Sequence, residues 1–313
     1  MTKIEILRIE SLSREPLVVE GFLFKGKNKK APKVAIVGAM EGEGIMPLYC
    51  ASTLVDFLKN KIDTKKIKGD ILVIPSVNHY AFNTGKRFWP LDNTDINMMF
   101  PGYHLGETTQ RIAQKLFDVV SKYDHAILLE KRPDPVNCIP YVKLYNTGFE
   151  DLNGARKFGL KFIDHRKLKS IDTASFQYNL QVWETKVYSI MCPNRTYIDK
   201  KVSSEINQGI LRFLNKSKVI DFSIFNGYES TIVKKENIEV IKSPLSGIFI
   251  SKEFPGNYVN KNQVIGKIID SLEGNVLHEF KSPCDGMVTC HFNHSLIYQN
   301  AVVFRVAKIG SIE

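Results

Sequence analysis

Three short runs are apolar on both strand faces: Lys33-Val34-Ala35-Ile36-Val37-Gly38, Asp70-Ile71-Leu72-Val73-Ile74-Pro75 and His125-Ala126-Ile127-Leu128-Leu129-Glu130. A strand of this kind has no face for water, so it belongs in the middle of a sheet covered on both sides. The first run feeds a helix expected from Ile45 to about Lys59. The third follows a helix that starts near Glu107 and carries Ile112, Ala113, Leu116, Phe117 and Val120 on one stripe. The alternation continues through Tyr141-Val142-Lys143-Leu144, a strand at Lys186–Met191 and a helix from about Asp199 to Leu214. Strands alternating with helical stripes predict an α/β fold, an open and mostly parallel sheet flanked by helices. Ligands in such sheets sit at the carboxyl ends of strands, so the loops after Val37, Ile74, Leu129 and Ile190 are the ones to watch.

Both ends of the chain depart from this pattern. Ile4–Ile9 and Leu17–Phe24 alternate apolar and polar residues, which predicts a half-buried hairpin. Near the other end Lys242-Ser243-Pro244-Leu245-Ser246-Gly247 recurs 39 positions on as Lys281-Ser282-Pro283-Cys284-Asp285-Gly286. Short strands follow each copy, at Val264–Ile268 and Val302–Val306. Two such units describe a small, pseudo-symmetric all-β barrel-sandwich similar to the biotinyl/lipoyl type. No Met-Lys-Met turn is present to carry a prosthetic group. The expected division is an α/β domain over 1–235 and a barrel over 236–313.

The chain has 43 basic and 33 acidic residues and a net charge of +10. The excess lies in short lysine clusters, read as solvated surface and not as a nucleic-acid or membrane patch. The five cysteines, Cys50, Cys138, Cys192, Cys284 and Cys290, include no Cys-x-x-Cys pair, so neither a zinc knuckle nor a redox motif is indicated, and their count fits a reducing compartment. The N-terminus has no signal-peptide pattern, and no run is long and apolar enough for a membrane helix. A cytoplasmic location is expected.

The loop after the first run reads Gly38-Ala39-Met40-Glu41-Gly42-Glu43. Asn78 follows the second run, Arg87 lies in the next loop, and then come Asp95-Ile96-Asn97-Met98-Met99-Phe100-Pro101-Gly102, Gly106 and Arg111-Ile112-Ala113. This order resembles the succinylglutamate desuccinylase/aspartoacylase family, zinc amide hydrolases on the zinc-carboxypeptidase fold. The family's pattern is Gly-x-His-Gly-x-Glu, then Asn, Arg and Asp-x-Asn-Arg-x-Phe-Pro-Gly, with a third run ending Asp-x-His. The resemblance implies that fold, an amide-hydrolase ancestry and a catalytic zinc.

Carried over residue by residue, it places Met40 where the family has its first zinc-binding histidine. Glu43 keeps the glutamate ligand, and Glu130 stands at the second histidine. A catalytic zinc needs three N, O or S ligands and an open water position, and a thioether suits soft cations instead. The general-base position falls at Met191 or Cys192. Losing such a base costs roughly 10²–10⁴-fold. A substrate-clamping arginine becomes Met98, whereas Arg87, Asn97 and Asn78 remain as candidate substrate contacts. Cys192 invites a thiol nucleophile, which needs an adjacent base. His79 lies near the expected cleft, and Glu41, Glu43 and Glu130 offer a carboxylate set.

Two functions follow from this pattern. The first is a catalytically inactive or repurposed member that binds a small amino-acid-like or acylated ligand through carboxylate or amide contacts, with no cofactor. The second is an active deacylase using a non-zinc divalent metal at Glu43 and Glu130. A homo-oligomer or a protein partner for the barrel is a further expectation.

Overall fold

The computed structural model describes residues 1–10, 15–132, 136–193 and 197–308. The hairpin forms as expected, from β1 (Thr2–Ile9) and β2 (Leu17–Phe24). The three apolar runs become β3 (Val34–Ala39), β4 (Ile71–Ser76) and β5 (His125–Lys131). After them come β6 (Val136–Cys138), β7 (Tyr141–Asn146), β8 (Phe162–Lys167), β9 (Lys186–Cys192) and β10 (Thr231–Lys234). The large sheet has the order β1-β2-β4-β3-β5-β9-β7-β8-β10. β4, β3, β5 and β9 run parallel, and β7 enters antiparallel to β9.

Side-chain alternation sorts the strands' residues onto two cores. Val34, Ile36, Ile127, Leu129, Tyr188 and Ile190 face α1 (Ile45–Asn60) and the helix Lys200–Lys216. Ala35, Val37, Ala126, Leu128 and Val187 face the helices Thr108–Val120 and Phe176–Val182. In chain order the remaining helices are α2 (His79–Thr84), α3 (Thr108–Val120), α4 (Leu152–Arg156), α5 (Phe176–Val182) and α6 (Lys200–Lys216). Both faces are therefore covered, as two-sided apolar strands require.

The stretch from Asn78 to Leu105 contains α2. Asn78 accepts a hydrogen bond from the Ala81 amide at its start, and Gly85 closes it in the left-handed region at φ 62°. Further on, Gly102 has φ 91°, and a Cβ there would lie 2.2 Å from the Gln114 amide nitrogen. Glycine is the residue that lets this loop press against α3.

The barrel comprises β11 (Ile238–Lys242), β12 (Gly247–Ser251), β13 (Tyr258–Val259), β14 (Val264–Ile269), β15 (Val276–Lys281), β16 (Gly286–Phe292), β17 (Leu296–Ile297) and β18 (Val302–Lys308). One sheet runs β11-β18-β16-β13 and the other β15-β14-β12-β17. Phe249, Ile268, Phe280, Val288 and Phe304 fill the space between them. The sequence repeat is a structural one. The buried Ser243 hydroxyl donates to the Leu245 carbonyl, and the buried Ser282 hydroxyl donates to the Cys284 carbonyl. Asn262 and Asn300 turn the chain at φ 68° and 67° in the two copies.

One connection between the two halves has no counterpart in the sequence reading. β6, only three residues long, pairs antiparallel with β16 of the barrel. A seam of Val136, Cys138, Tyr141, Met191, Met287 and Cys290 closes beneath it. His291 is buried at this seam, whereas His294, three residues on, is exposed.

Candidate active site

The cleft lies at the carboxyl ends of β3 and β5, where a parallel sheet presents its loops. Met40, Glu41, Asn97, Glu130 and Lys131 are among its lining residues. Gly42 holds the first loop in place. Its amide donates to the Arg87 carbonyl, and a Cβ on it would lie 2.2 Å from the Lys86 carbonyl oxygen.

The three glutamates at the cleft, Glu41, Glu43 and Glu130, each hold a cation. Arg87 donates two hydrogen bonds to Glu41, from Nε at 3.1 Å and Nη2 at 3.2 Å. Lys131 Nζ lies 2.7 Å from Glu43 Oε2. Lys143 Nζ lies 2.6 Å from Glu130 Oε2, and the Ser189 hydroxyl donates to the other oxygen at 2.7 Å. The lysine and glutamate of this last pair are only 8% and 12% exposed, whereas Glu43 at the mouth is 48% exposed. Burial pushes the Glu41 carboxyl up from its ordinary range, and the Arg87 hydrogen bonds oppose that shift. Burial also raises the Asp95 carboxyl, against the Asn97 amide that donates to it.

Strand register explains the Glu130–Lys143 pair. Leu128 pairs with Ser189 and Ser189 with Lys143, while Glu130 pairs with Met191 and Met191 with Tyr141. Ser189, Met191 and Lys143 thus stand on the same sheet face as Glu130, and the lysine reaches diagonally to it. Lys143 and Ser189 were not among the residues singled out from the sequence. The available signal was Lys143 itself, a cation inside the apolar run Tyr141–Leu144.

The other expected residues take these places. Met40 is 6% exposed and packs in the core beside α3 and α5. Asn78 is fully buried and caps α2. The Asn97 side-chain oxygen accepts from the Phe176 amide at 3.2 Å, tying the loop to α5. His79 lies with its ring tilted 44° against that of Tyr80, centroids 5.3 Å apart, and is held below its ordinary pKa by burial, with Glu20 of β2 opposing that shift. Glu43 does not cap α1, whose N-cap is Gly44 and has no side-chain cap.

Met191 is 4% exposed and belongs to the seam under β6. Cys192 is fully buried on the opposite face, toward α1. A hydrogen bond with Cys50, together with burial, pushes its thiol well up. That is the reverse of what a thiolate nucleophile needs.

These residues do not fit a catalytic zinc. Met40, which the resemblance puts at the first ligand position, offers only a thioether, and Glu43 and Glu130 each hold a lysine. Among the described residues no group of three histidine, cysteine, aspartate or glutamate side chains is arranged to hold a metal ion.

Residues 30–129 match the model of the succinylglutamate desuccinylase/aspartoacylase catalytic domain. The family resemblance holds. Across the whole chain the desuccinylase/aspartoacylase architecture recurs in solved structures. The product-bound ectoine utilization protein EutE (DoeB) of Ruegeria pomeroyi superposes with a TM-score of 0.75 at 16% identity, over 98% of this chain and 95% of that one. A succinylglutamate desuccinylase/aspartoacylase of Rhodobacter sphaeroides gives 0.75 at 18%, with the same coverage. A metallo-carboxypeptidase of Burkholderia cenocepacia gives 0.52 at 11% identity, over 69% of this chain and 64% of that one. At these identities the likeness establishes the zinc-carboxypeptidase-like fold. In sequence, the chain is similar to the N-alpha-acetyl-L-2,4-diaminobutyric acid deacetylase of Halomonas elongata. The two are 23% identical over 142 residues, which is 44% of this chain and 40% of that enzyme's length. Among the described residues no helix is long and apolar enough to cross a membrane.

Proposed function

We propose that this chain keeps a deacylase fold without deacylase chemistry, and binds a small amino-acid-like or acylated ligand that it does not cleave. The observation that carries this reading is the pairing of Glu41, Glu43 and Glu130 with Arg87, Lys131 and Lys143. A carboxylate holding a cation at 2.6–2.7 Å has already spent the charge that would attract a metal. Met191 at the general-base position has no proton-accepting group of useful basicity.

Binding has a physical route. With the pairs closed, the cleft has a cavity volume of about 30 Å³, room for a water or an ion and not for an acylated amino acid. Glu43 is the half-exposed member of its pair, so it can swing outward at small cost. A ligand carboxylate then takes its place on Lys131. The Halomonas elongata relative, by its name, acts on an N-acetylated diamino acid, and ligands of that general kind belong in the first panel.

A set of N-acyl amino acids tested by thermal shift and calorimetry checks this. One class is expected to raise the unfolding midpoint of the full chain, since a ligand at 100 times its Kd adds about 2.7 kcal/mol. Lys131→Met abolishes the shift, Glu43→Gln tightens binding, and no free amine accumulates. Binding that ignores both substitutions, or steady amine release, contradicts the proposal.

A further inference from the structure

The seam where β6 meets the barrel places two cysteines face to face. In the antiparallel β6–β16 pair, Cys138 is registered directly opposite Cys290. Directly opposed residues in such a ladder have Cα atoms about 4.5–5.5 Å apart and side chains on the same side. A disulfide needs Cα atoms about 4.4–6.8 Å apart. Both thiols belong to the same small cluster and are 3% and 2% exposed. Cys138 comes from the segment that continues the cleft strand β5 past Lys131, and Cys290 from the middle of the barrel.

We propose that Cys138 and Cys290 are a redox-modification site, a thiol pair that a peroxide converts into a disulfide fastening the barrel to the α/β domain. One thiolate attacks a peroxide oxygen, the O–O bond breaks, and a sulfenic acid and water result. The second thiol attacks that sulfur and expels the hydroxyl as water. Overall, two thiols lose two electrons and two protons, and hydrogen peroxide becomes two waters. The bond ties residue 138 to residue 290, a long loop whose closure restricts the unfolded chain strongly. The site does not depend on what the cleft binds.

The experiment uses the full chain with Cys284→Ser, which removes the half-buried thiol of the repeat turn and leaves four of the five cysteines. Hydrogen peroxide is added in slight excess and quenched, and thiols are counted after denaturation. The expected count falls by two. The peptide map links the Cys138 and Cys290 peptides, and the unfolding midpoint rises by about 5 °C. Dithiothreitol reverses all three. In Cys290→Ser the link and the midpoint rise disappear, and if that variant does not fold, the map of the parent chain decides alone. An unchanged thiol count overturns the proposal. A map that joins Cys50 to Cys192, the buried pair on the far side of the sheet, overturns it equally.

Discussion

Lys143→Met lowers the stability of the folded chain by about 3–5 kcal/mol, the cost of leaving a buried charge without its partner. Glu130 is 12% exposed and loses a cation at 2.6 Å. The Ser189 hydroxyl remains, and one neutral donor does not replace an ammonium. Glu130→Gln combined with Lys143→Met recovers most of the loss, because a neutral amide beside an apolar chain carries no desolvated charge. Urea unfolding of the four proteins in this cycle gives the coupling directly. Equal losses in the single and double variants would mean that packing, and not the charge pair, sets the cost. The same substitution has a second consequence. With its lysine gone, Glu130 is open to a divalent cation, so manganese is expected to stabilise Lys143→Met and leave the parent chain unmoved.

Phe213→Ala is the second large effect. Phe213 of α6 is fully buried. Its ring centroid lies 4.5 Å from that of Phe158, 4.9 Å from Tyr188 and 5.3 Å from His125. Truncating such a side chain costs about 3–5 kcal/mol in lost contacts and cavity. It also opens a path for water to His125, whose pKa burial holds down to about 4, helped by Lys186 and Lys157 and opposed by Asp151 and Asp124. The unfolded chain protonates this imidazole near 6.5. Between the two values the unfolded state binds more protons, so stability is complete above about pH 6.5 and declines as pH falls toward 4. The full difference is about 3 kcal/mol. Urea midpoints measured from pH 7 to 4 are expected to fall in the parent chain. In Phe213→Ala they start lower and fall less steeply, because a hydrated His125 regains part of its ordinary pKa.

The sequence made the frame of the molecule readable because burial dictates pattern. Val34–Gly38 and Ile71–Pro75 leave no polar side, and the Lys-Ser-Pro repeat returns with its glycine in register. Met40 and Glu130 could also be singled out, because the first loop keeps the family's spacing from Gly38 to Glu43 and Glu130 ends an apolar run. The partner of Glu130 could not. Lys143 reaches Glu130 across an intervening strand, and that proximity is set by the β5-β9-β7 order and the antiparallel entry of β7. Neither is encoded in local periodicity. α2 escaped notice for the opposite reason: its six residues are too few to show a stripe, and its Asn78 cap was read as a substrate contact. β6 is three residues long and gains its identity only from the barrel strand it meets.

The metal content of the full chain, purified without chelators and determined by mass spectrometry beside Glu43→Ala and Glu130→Ala, tests most directly whether the cleft is closed by its own cations. Zinc far below one per chain, and the same in all three proteins, is the predicted result. One tightly held zinc or other divalent ion per chain, lost in either variant, contradicts it.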